Sequence, residues 1–306
     1  VDGTRTVWLR TRDNAEATAL FSDSIILDRA IPTGSIVINN NSLYTNIPTI
    51  TLTFTYQDET SGLGTISYGT SPTLYIISTP KATSTYTLDS TNGTRTIYYL
   101  IEDIVGWQST FTDTIILDTV VPQATFTINN QATYTFTKDV WLTEFEYTDP
   151  DPASGIDQIR FRNEADTLWT GWQEPCYLPI DWRLKDIEGP GTVCLQIKDK
   201  AGNLATYTDS IIYDTTGPIG TMTIYGKGQT SRDYDTSTYA ISTDVILGLS
   251  FSLDVGSISF SNNLVSWSAW QNPVATCTWN LASGLIDAPV DGTRTVWLRT
   301  RDNAEA

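Results

Sequence analysis

The eight residues Phe21–Asp28, FSDSIILD, recur as FTDTIILD at Phe111–Asp118 and as YTDSIIYD at Tyr207–Asp214. Isoleucine, threonine, tyrosine and phenylalanine favour a pleated, half-buried strand. Proline cannot donate a hydrogen bond to a central ladder, so a proline just beyond a strand fits a linker. The motif therefore predicts the last strand of a repeated β unit, followed by the link to the next unit. Four residues after its final aspartate, each copy is followed by a proline: Pro32, Pro122 and Pro218.

A glycine-led motif lies upstream of each copy. Gly3–Leu9 reads GTRTVWL and Gly93–Tyr99 reads GTRTIYY, while Gly189–Leu195 and Gly292–Leu298 match the same pattern. In Val193–Ile197, every second residue is apolar, which is typical of a sheet packed on one face. Each unit is thus predicted to end in two strands joined by an acidic turn. The turns begin at Asp13, Asp103, Asp199 and Asp302.

An exact duplication sets the repeat period. Residues 1–17, VDGTRTVWLRTRDNAEA, are identical to residues 290–306, which gives an offset of 289 residues. Within that period the final aspartates of the strand motif are 90 and 96 residues apart, and 103 residues lead to the next expected copy. One period therefore predicts three domains. They are residues 29–118, 119–214 and 215–306, preceded by residues 1–28 as the last two strands of an earlier domain.

The third predicted domain, residues 215–306, is expected to lack its final strand. The sequence of that strand is the one found at residues 17–28. A sandwich without an edge strand exposes unpaired backbone and core. We therefore expect either that the covalent chain continues into another repeat or that another molecule donates the strand.

The density of short strands and turn signals predicts an all-β fold: tandem immunoglobulin-like β-sandwiches arranged in a linear rod. The stretch Asp199–Asn203, DKAGN, followed by Asp214–Pro218, DTTGP, resembles the bacterial and archaeal immunoglobulin-like (Big-type) repeats of large cell-surface adhesins and surface fibres. So does Ser154–Ile156 with the later Trp169 and Trp172. The resemblance implies this fold and an extracellular, cell-surface location.

Two copies of the acidic turn depart from the pattern of that family. Asp13–Ala17, DNAEA, lacks the glycine and the final asparagine, and Asp103–Trp107, DIVGW, keeps only the aspartate and the glycine. We expect a site built on this turn to be weakened where the glycine is lost.

The composition excludes several classes of function. The 306 residues carry a formal net charge of −17, which opposes binding to nucleic acid or to anionic membranes. Histidine is absent, which removes histidine-based catalytic triads and histidine-ligated zinc. No stretch is long and apolar enough for a membrane span. We expect a protein that is not an enzyme.

Calcium at the domain junctions is the strongest site hypothesis, because the ion takes carboxylate and carbonyl oxygens. We expect the acidic turn and the linker aspartate of one domain to meet, as Asp103 with Asp118 and as Asp199 with Asp214. Related adhesin repeats bind calcium at such junctions. The alternative is that these aspartates only form turns and cap strand ends. The remaining candidate ligands at corresponding positions are Asp13, Asp28 and Asp302.

Four further features carry weaker hypotheses. An acidic cluster could bind an ion or could form a solvated loop. Two Trp-x-x-Trp pairs could stack on sugars or could pack on the sandwich cores. Two cysteines could form a disulfide outside the cell, and two Asn-x-Ser/Thr patterns are glycosylation acceptors. The residues are Asp149, Asp151 and Asp157; Trp169 with Trp172 and Trp267 with Trp270; Cys176 and Cys194; and Asn40 and Asn92.

The sequence as a whole predicts a structural or adhesive tandem-repeat protein of an extracellular fibre or stalk. Its expected partners are further copies of itself, surface glycans, or a host or abiotic surface. One alternative is a filament of separate subunits joined by strand donation. A second is a carbohydrate-binding accessory region of a secreted enzyme.

Overall fold

The computed structural model describes residues 1–150, 154–226, 239–285 and 291–304. It begins with a long antiparallel hairpin, the N-terminal hairpin, made of β1 (Gly3–Arg12) and β2 (Thr18–Leu27). The pairing runs from Gly3 opposite Leu27 to Arg12 opposite Thr18. Both faces of this hairpin are largely exposed.

The strands between Thr33 and Leu117 form a two-sheet sandwich, here called domain A. Its strands are β3 (Thr33–Ile38), β4 (Tyr44–Thr45), β5 (Thr49–Gln57), β6 (Leu63–Ser71), β7 (Leu74–Ser78), β8 (Thr83–Thr87), β9 (Gly93–Asp103) and β10 (Gln108–Leu117). One sheet has the order β3-β5-β8 and the other β4-β10-β9-β6-β7. A short 3-10 turn follows β3 at Asn39–Asn41.

The strands between Gln123 and Tyr213, here called domain B, form a second two-sheet sandwich of the same plan. The strands are β11 (Gln123–Ile128), β12 (Tyr134–Thr135), β13 (Asp139–Thr148), β14 (Ile156–Asn163), β15 (Ile180–Arg183), β16 (Gly189–Asp199) and β17 (Leu204–Tyr213). They form the sheets β11-β13-β15 and β12-β17-β16-β14. The last two strands, β16 and β17, occupy the places of β9 and β10.

The described strands between Gly220 and Asp302, here called domain C, are fewer. They are β18 (Gly220–Tyr225), β19 (Asp244–Phe251), β20 (Val255–Ser261), β21 (Thr276–Asn280) and β22 (Trp297–Asp302). The first sheet, β18-β19-β21, matches those of domains A and B, whereas the second contains β20 and β22.

Each sandwich has its own core, filled by alternate residues of its strands. In β9, Ile97, Tyr99 and Ile101 are fully buried, and in β16 Val193, Leu195 and Ile197 take the same places. This alternation is the pattern that a sheet buried on one face imposes on its sequence. The predicted all-β sandwich class is confirmed. Among the described residues, no helix has the length and apolar character needed to cross a membrane.

Candidate metal centres at the domain junctions

Three carboxylates meet where the N-terminal hairpin joins domain A. Asp28 follows β2, Asp58 lies in the loop after β5, and Asp103 ends β9. Each contributes an oxygen atom, and these oxygens lie within 4.8 Å of one another. Asp28 and Asp103 are buried, and Asp58 is half-buried. We call this group the first cluster.

An equivalent group, the second cluster, joins domain A to domain B. Asp118 follows β10 of domain A, Asp149 lies in the loop after β13, and Asp199 ends β16. Their oxygens also lie within 4.8 Å of one another, with Asp118 and Asp199 fully buried. In the described part of the chain, these two clusters are the only groups of three such ligands.

The acidic turns explain how one aspartate can cap a turn and still face the cluster. The backbone N–H groups of Val105 and Trp107 donate to Asp103 Oδ1 at 2.9 and 2.8 Å. Asp103 Oδ2 is buried and accepts no hydrogen bond. The side chain of Asp103 is only 2% exposed, so an unpaired oxygen there costs free energy unless a cation faces it.

In the second cluster, too, some carboxylate oxygens accept hydrogen bonds from the backbone and one accepts none. Asp199 Oδ1 accepts the N–H groups of Gly202 and Asn203, and its Oδ2 accepts Asn203 Nδ2 at 2.8 Å. Asp149 Oδ2 accepts the N–H of Gly155 at 2.6 Å, whereas its Oδ1 is buried without a hydrogen bond. Each cluster therefore contains one buried carboxylate oxygen with no donor.

Negative charge in the clusters is not balanced by protein cations. Within the described ranges, no lysine or arginine forms an ion pair with any of the six aspartates. Burial raises the pKa of Asp149 above its usual value, and the nearby charges of Asp118 and Asp199 raise it further. Such an environment is unfavourable to the ionised carboxylate unless a positive charge is present.

The donor set fits a hard divalent cation such as calcium. Calcium takes six to eight oxygen ligands, carboxylate and carbonyl among them, and it tolerates irregular geometry. Histidine is absent from the sequence, and no cysteine belongs to either cluster. The unpaired oxygens Asp103 Oδ2 and Asp149 Oδ1 would each gain a partner from a bound ion.

The predicted pairing of the aspartates is wrong. Asp103 ends β9 and Asp118 follows β10, and these strands form one antiparallel hairpin in which Gly93 lies opposite Leu117. The two aspartates are therefore at opposite ends of domain A. Asp103 meets Asp28 of the preceding linker, and Asp199 meets Asp118 rather than Asp214. The linker aspartate thus joins the acidic turn of the domain that follows it.

The other predicted ligands do not join such a cluster. Asp13 is exposed in the N-terminal hairpin, and its Oδ1 caps the turn through the N–H groups of Ala15 and Ala17. Asp214 is half-buried and Asp302 is buried, but they belong to neither cluster. At the third junction Asp254 Oδ1 is likewise buried without a hydrogen bond, although Asp214, Asp254 and Asp302 form no group of three such ligands.

Sequence reasoning missed Asp58 and placed Asp149 in a different group. Of that predicted group, Asp157 forms an ion pair with Lys198 at 2.8 Å, and Asp151 lies outside the described residues. Both missed ligands lie a few residues before a Ser-Gly pair, at Ser61 in domain A and at Ser154 in domain B. An aspartate shortly before a Ser-Gly pair is therefore the sequence feature that could have identified both ligands.

Lysine and arginine side chains cover the tryptophans of the Trp-x-x-Trp pairs. In domain B, Arg160 lies 5.0 Å from the Trp169 ring centre and 4.2 Å from that of Trp172. Arg162 lies 4.9 Å from Trp169, and Lys198 lies 5.1 Å from Trp172. Since Arg160 and Arg162 project from the same face of β14, the Trp169 ring is held between them.

Domain C has similar contacts between arginines and tryptophans, but its arginines come from a different strand. Arg299 of β22 lies 4.4 Å from the Trp267 ring centre and 4.5 Å from that of Trp270. Arg301 lies 4.7 Å from Trp270. These ring contacts favour a packing role for the tryptophans over stacking on sugars, because a sugar would have to displace the cations.

Replacing Trp172 with alanine is expected to lower the free energy of unfolding of domain B by about 1–2 kcal/mol, because two cation–π contacts are lost. Denaturant unfolding measures this change. Trp141→Ala is the control, since Trp141 is exposed on the outer face of β13. Unchanged stability combined with lost binding to a glycan array would contradict a packing role.

The two cysteines proposed as a disulfide pair lie in different parts of domain B. The candidate disulfide cysteines, Cys176 and Cys194, are both free thiols in this structure. Cys194 lies beside Arg162 in the sheet of β16, while the carbonyl of Cys176 accepts a hydrogen bond from Tyr147 of the opposite sheet. Burial raises the pKa of the Cys194 thiol.

The two candidate glycosylation asparagines lie in loops. Asn40 is exposed in the turn after β3, and Asn92 Oδ1 accepts a hydrogen bond from the N–H of Thr119.

Comparison with known proteins gives similarity of fold alone. No family model and no curated protein matches the sequence. A tetra-tandem repeat from the extending region of a large adhesion protein is 13% identical over 100% of this chain and 79% of that chain, with a TM-score of 0.34. A 1.5-MDa bacterial ice-binding adhesin structure is 12% identical over 90% and 88%, with a TM-score of 0.37. Fibronectin(III)-like modules of Clostridium thermocellum CbhA are 12% identical over 58% and 93%, also with a TM-score of 0.37.

Proposed function

We propose that this chain is a segment of an extracellular structural or adhesive tandem array, in which calcium holds successive sandwiches in a fixed relation. The observation that carries the proposal is the position of Asp118. Its backbone belongs to domain A, because its N–H donates to Thr45 O at 2.9 Å. Its side chain enters domain B, where Oδ2 accepts the N–H of Ser154 at 3.0 Å.

Other contacts at this junction support a fixed geometry. Asn203 of domain B donates from Nδ2 to the carbonyl oxygen of Asp118 at 2.9 Å. Gly202 lies close to the side chain of Asn46 from domain A, because a Cβ atom added at Gly202 would be 3.5 Å from Asn46 Nδ2. An ion bound by Asp118, Asp149 and Asp199 would add bonds that span the same boundary. Bending there would then separate ligands from the ion, which is why calcium would stiffen the array.

Removing calcium is expected to make the array more flexible. Small-angle X-ray scattering of the chain in calcium and in EDTA measures the change as a shorter and broader distribution of interatomic distances in EDTA. In calcium, Asp118→Asn should shift the distribution part of the way toward the EDTA result, because it disables the second cluster alone, while Asp214→Asn should not. Identical scattering in the two solutions would overturn a calcium-stiffened array.

The extracellular assignment needs a test on whole cells. Antibodies against this chain are expected to label intact, unpermeabilised cells, and brief external protease treatment should remove the label. The mass of the native protein under denaturing, reducing conditions separates a covalent array from discrete subunits, since an array should be many times heavier than the 33.9 kDa of this chain. Label that appears only after permeabilisation would contradict a surface role.

The raised pKa of Asp149 predicts a pH dependence in metal-free buffer. A carboxyl whose pKa is higher in the folded than in the unfolded protein destabilises the folded state above that pKa, and the penalty disappears as the pH falls through it. Asp149→Asn should therefore be more stable than the parent chain at neutral pH in EDTA. We expect the difference to shrink toward zero on acidification, as measured by denaturant unfolding at several pH values. A difference independent of pH would contradict the assignment.

A further inference from the structure

The last residue of the acidic turn differs between the two clusters. It is Trp107 in domain A and Asn203 in domain B. Both side chains reach back to the linker aspartate. Trp107 Nε1 donates to the carbonyl oxygen of Asp28 at 3.3 Å, and Asn203 Nδ2 donates to that of Asp118 at 2.9 Å. The two residues therefore hold the linker against the turn in the same way.

The asparagine has a further N–H group to donate, whereas the tryptophan has none. A side-chain amide carries two N–H groups and an indole carries one. Asn203 Nδ2 also donates to Asp199 Oδ2, at 2.8 Å. The single N–H of Trp107 is used on the linker, and Asp103 Oδ2 is buried without a hydrogen bond. The identity of this one residue thus decides whether the turn carboxylate is fully paired.

The other aspartates of the clusters do not reverse this difference. Asp58 accepts the backbone N–H groups of residues 60–62 through Oδ1 alone, so its Oδ2 has no donor among the described residues. Asp149 is paired through Oδ2 and unpaired at Oδ1. The linker aspartates Asp28 and Asp118 each accept a backbone N–H at both oxygens. The first cluster therefore offers an ion two carboxylate oxygens without donors, and the second cluster offers one.

This comparison is made on equivalent residues of the two junctions. Every donor to the cluster carboxylates follows the linker aspartate in the chain, between residues 30 and 107 for the first cluster and between residues 120 and 203 for the second. The difference therefore arises within the acidic turn and the loop before it, and not in the preceding domain.

A hydrogen bond to a carboxylate oxygen competes with a cation for the same lone pairs. Calcium at the first cluster would meet Asp103 Oδ2 without a competing donor, whereas at the second cluster it would share Asp199 Oδ2 with the amide of Asn203. Hydrogen bonds to charged groups are among the stronger ones in proteins, so this competition weakens binding. Without an ion the order is reversed, because the unpaired Asp103 Oδ2 is costly to bury.

We propose that the last residue of the acidic turn sets the calcium affinity of its junction, so that the first cluster binds calcium more tightly than the second. The proposal rests on calcium as the ion of the proposed function, and it ranks the two sites. Trp107 and Asn203 are positioning residues, since both act through the aspartates. As calcium falls, the second cluster empties first, yet its junction keeps the bonds of Asn203. The first junction depends more strongly on the ion itself.

Titration calorimetry on chains with one cluster disabled measures each affinity separately. Asp149→Asn disables the second cluster and leaves the first as the binding site, and Asp58→Asn does the reverse. The first cluster is expected to bind calcium at least about tenfold more tightly, because no donor competes for Asp103 Oδ2. Equal affinities, or a tighter second cluster, would overturn the ranking.

Exchanging the residue tests whether it is the cause. In the chain with Asp149→Asn, Trp107→Asn should weaken calcium binding by about tenfold, because its second amide N–H pairs Asp103 Oδ2. Trp107→Phe is the matched control, since it removes the indole N–H without offering Asp103 a donor, and it should change the affinity much less. An equal loss in both variants would mean that only the packing of Trp107 matters, and would contradict the proposal.

Stability in EDTA gives a readout that needs no calcium. Trp107→Asn should have a higher unfolding temperature for domain A than Trp107→Phe, because a donor then pairs a buried oxygen. Asn203→Ala should lower the unfolding temperature of domain B more in EDTA than in calcium, since a bound ion would pair Asp199 Oδ2. A chain that binds no calcium at either cluster would overturn the proposed function together with the ranking. An affinity that Trp107→Asn leaves unchanged would overturn the ranking alone.

Discussion

Calcium at about one hundred times its dissociation constant is expected to raise the free energy of unfolding by about 2.7 kcal/mol for each cluster it occupies. The stabilisation arises because the folded chain brings three carboxylates within 4.8 Å of one another, whereas the unfolded chain does not. Calorimetry in calcium and in EDTA measures the effect as a shift of the unfolding transitions. Isothermal titration should give two sites per chain.

Asp149→Asn should reverse the sign of its effect between the two solutions. In EDTA it removes an uncompensated buried charge beside Asp118 and Asp199, so it stabilises domain B. In calcium it removes a ligand, so it destabilises the same domain. Asp214→Asn is the matched control, because Asp214 belongs to neither cluster. An effect that calcium leaves unchanged would rule out an ion at the second cluster.

Phe161→Ala is expected to lower the free energy of unfolding of domain B by about 3–5 kcal/mol. Phe161 is 2% exposed, and its ring centre lies 6.4 Å from that of Phe126, 6.0 Å from that of Phe145 and 6.0 Å from that of Trp182. The alanine leaves a cavity among these rings. Calorimetry should show the transition of domain B at a lower temperature while that of domain A stays in place.

The control for this prediction makes the same substitution at an exposed phenylalanine of the same domain. Phe136 is 55% exposed, so Phe136→Ala should change the stability by less than half as much. If Phe161→Ala instead lowers the transitions of both domains together, the sandwiches do not unfold as separate units. That result would contradict the expectation that the transition of domain A stays in place, and it would mean that the junction couples the two sandwiches.

The acidic turns differ in the residue at their fourth position, where the backbone has a positive φ. The acidic turn of domain B contains Gly202 at φ +98°, and that of domain A contains Gly106 at φ +96°. In the N-terminal hairpin the same position is Glu16 at φ 63°, a conformation that side chains with a Cβ atom rarely adopt. The turn forms there nonetheless, because Asp13 Oδ1 accepts two backbone N–H groups.

Local sequence was sufficient to predict the strands and their grouping. In Phe111–Leu117 every second residue faces the core, and the sequence repeats this pattern in Tyr207–Tyr213. Strand formation depends on an alternation of two residues, which can be read from a few neighbouring side chains. The all-β sandwich class follows from such stretches, and so does the candidate role of the aspartates that end them.

The partners of those aspartates were decided by the tertiary structure. A strand of eleven residues such as β9 separates its two ends by about 35 Å, so Asp103 cannot meet Asp118 at the far end of the same hairpin. It meets Asp58 because the sandwich brings the loop after β5 to the turn after β9. The alternation along a strand carries no information about which loops lie close together in the fold. The contacts of Arg160 with Trp169 and Trp172 depend on the same packing. The sequence by itself therefore determined which residues form strands, while the packing of the two sheets determined which side chains form a site.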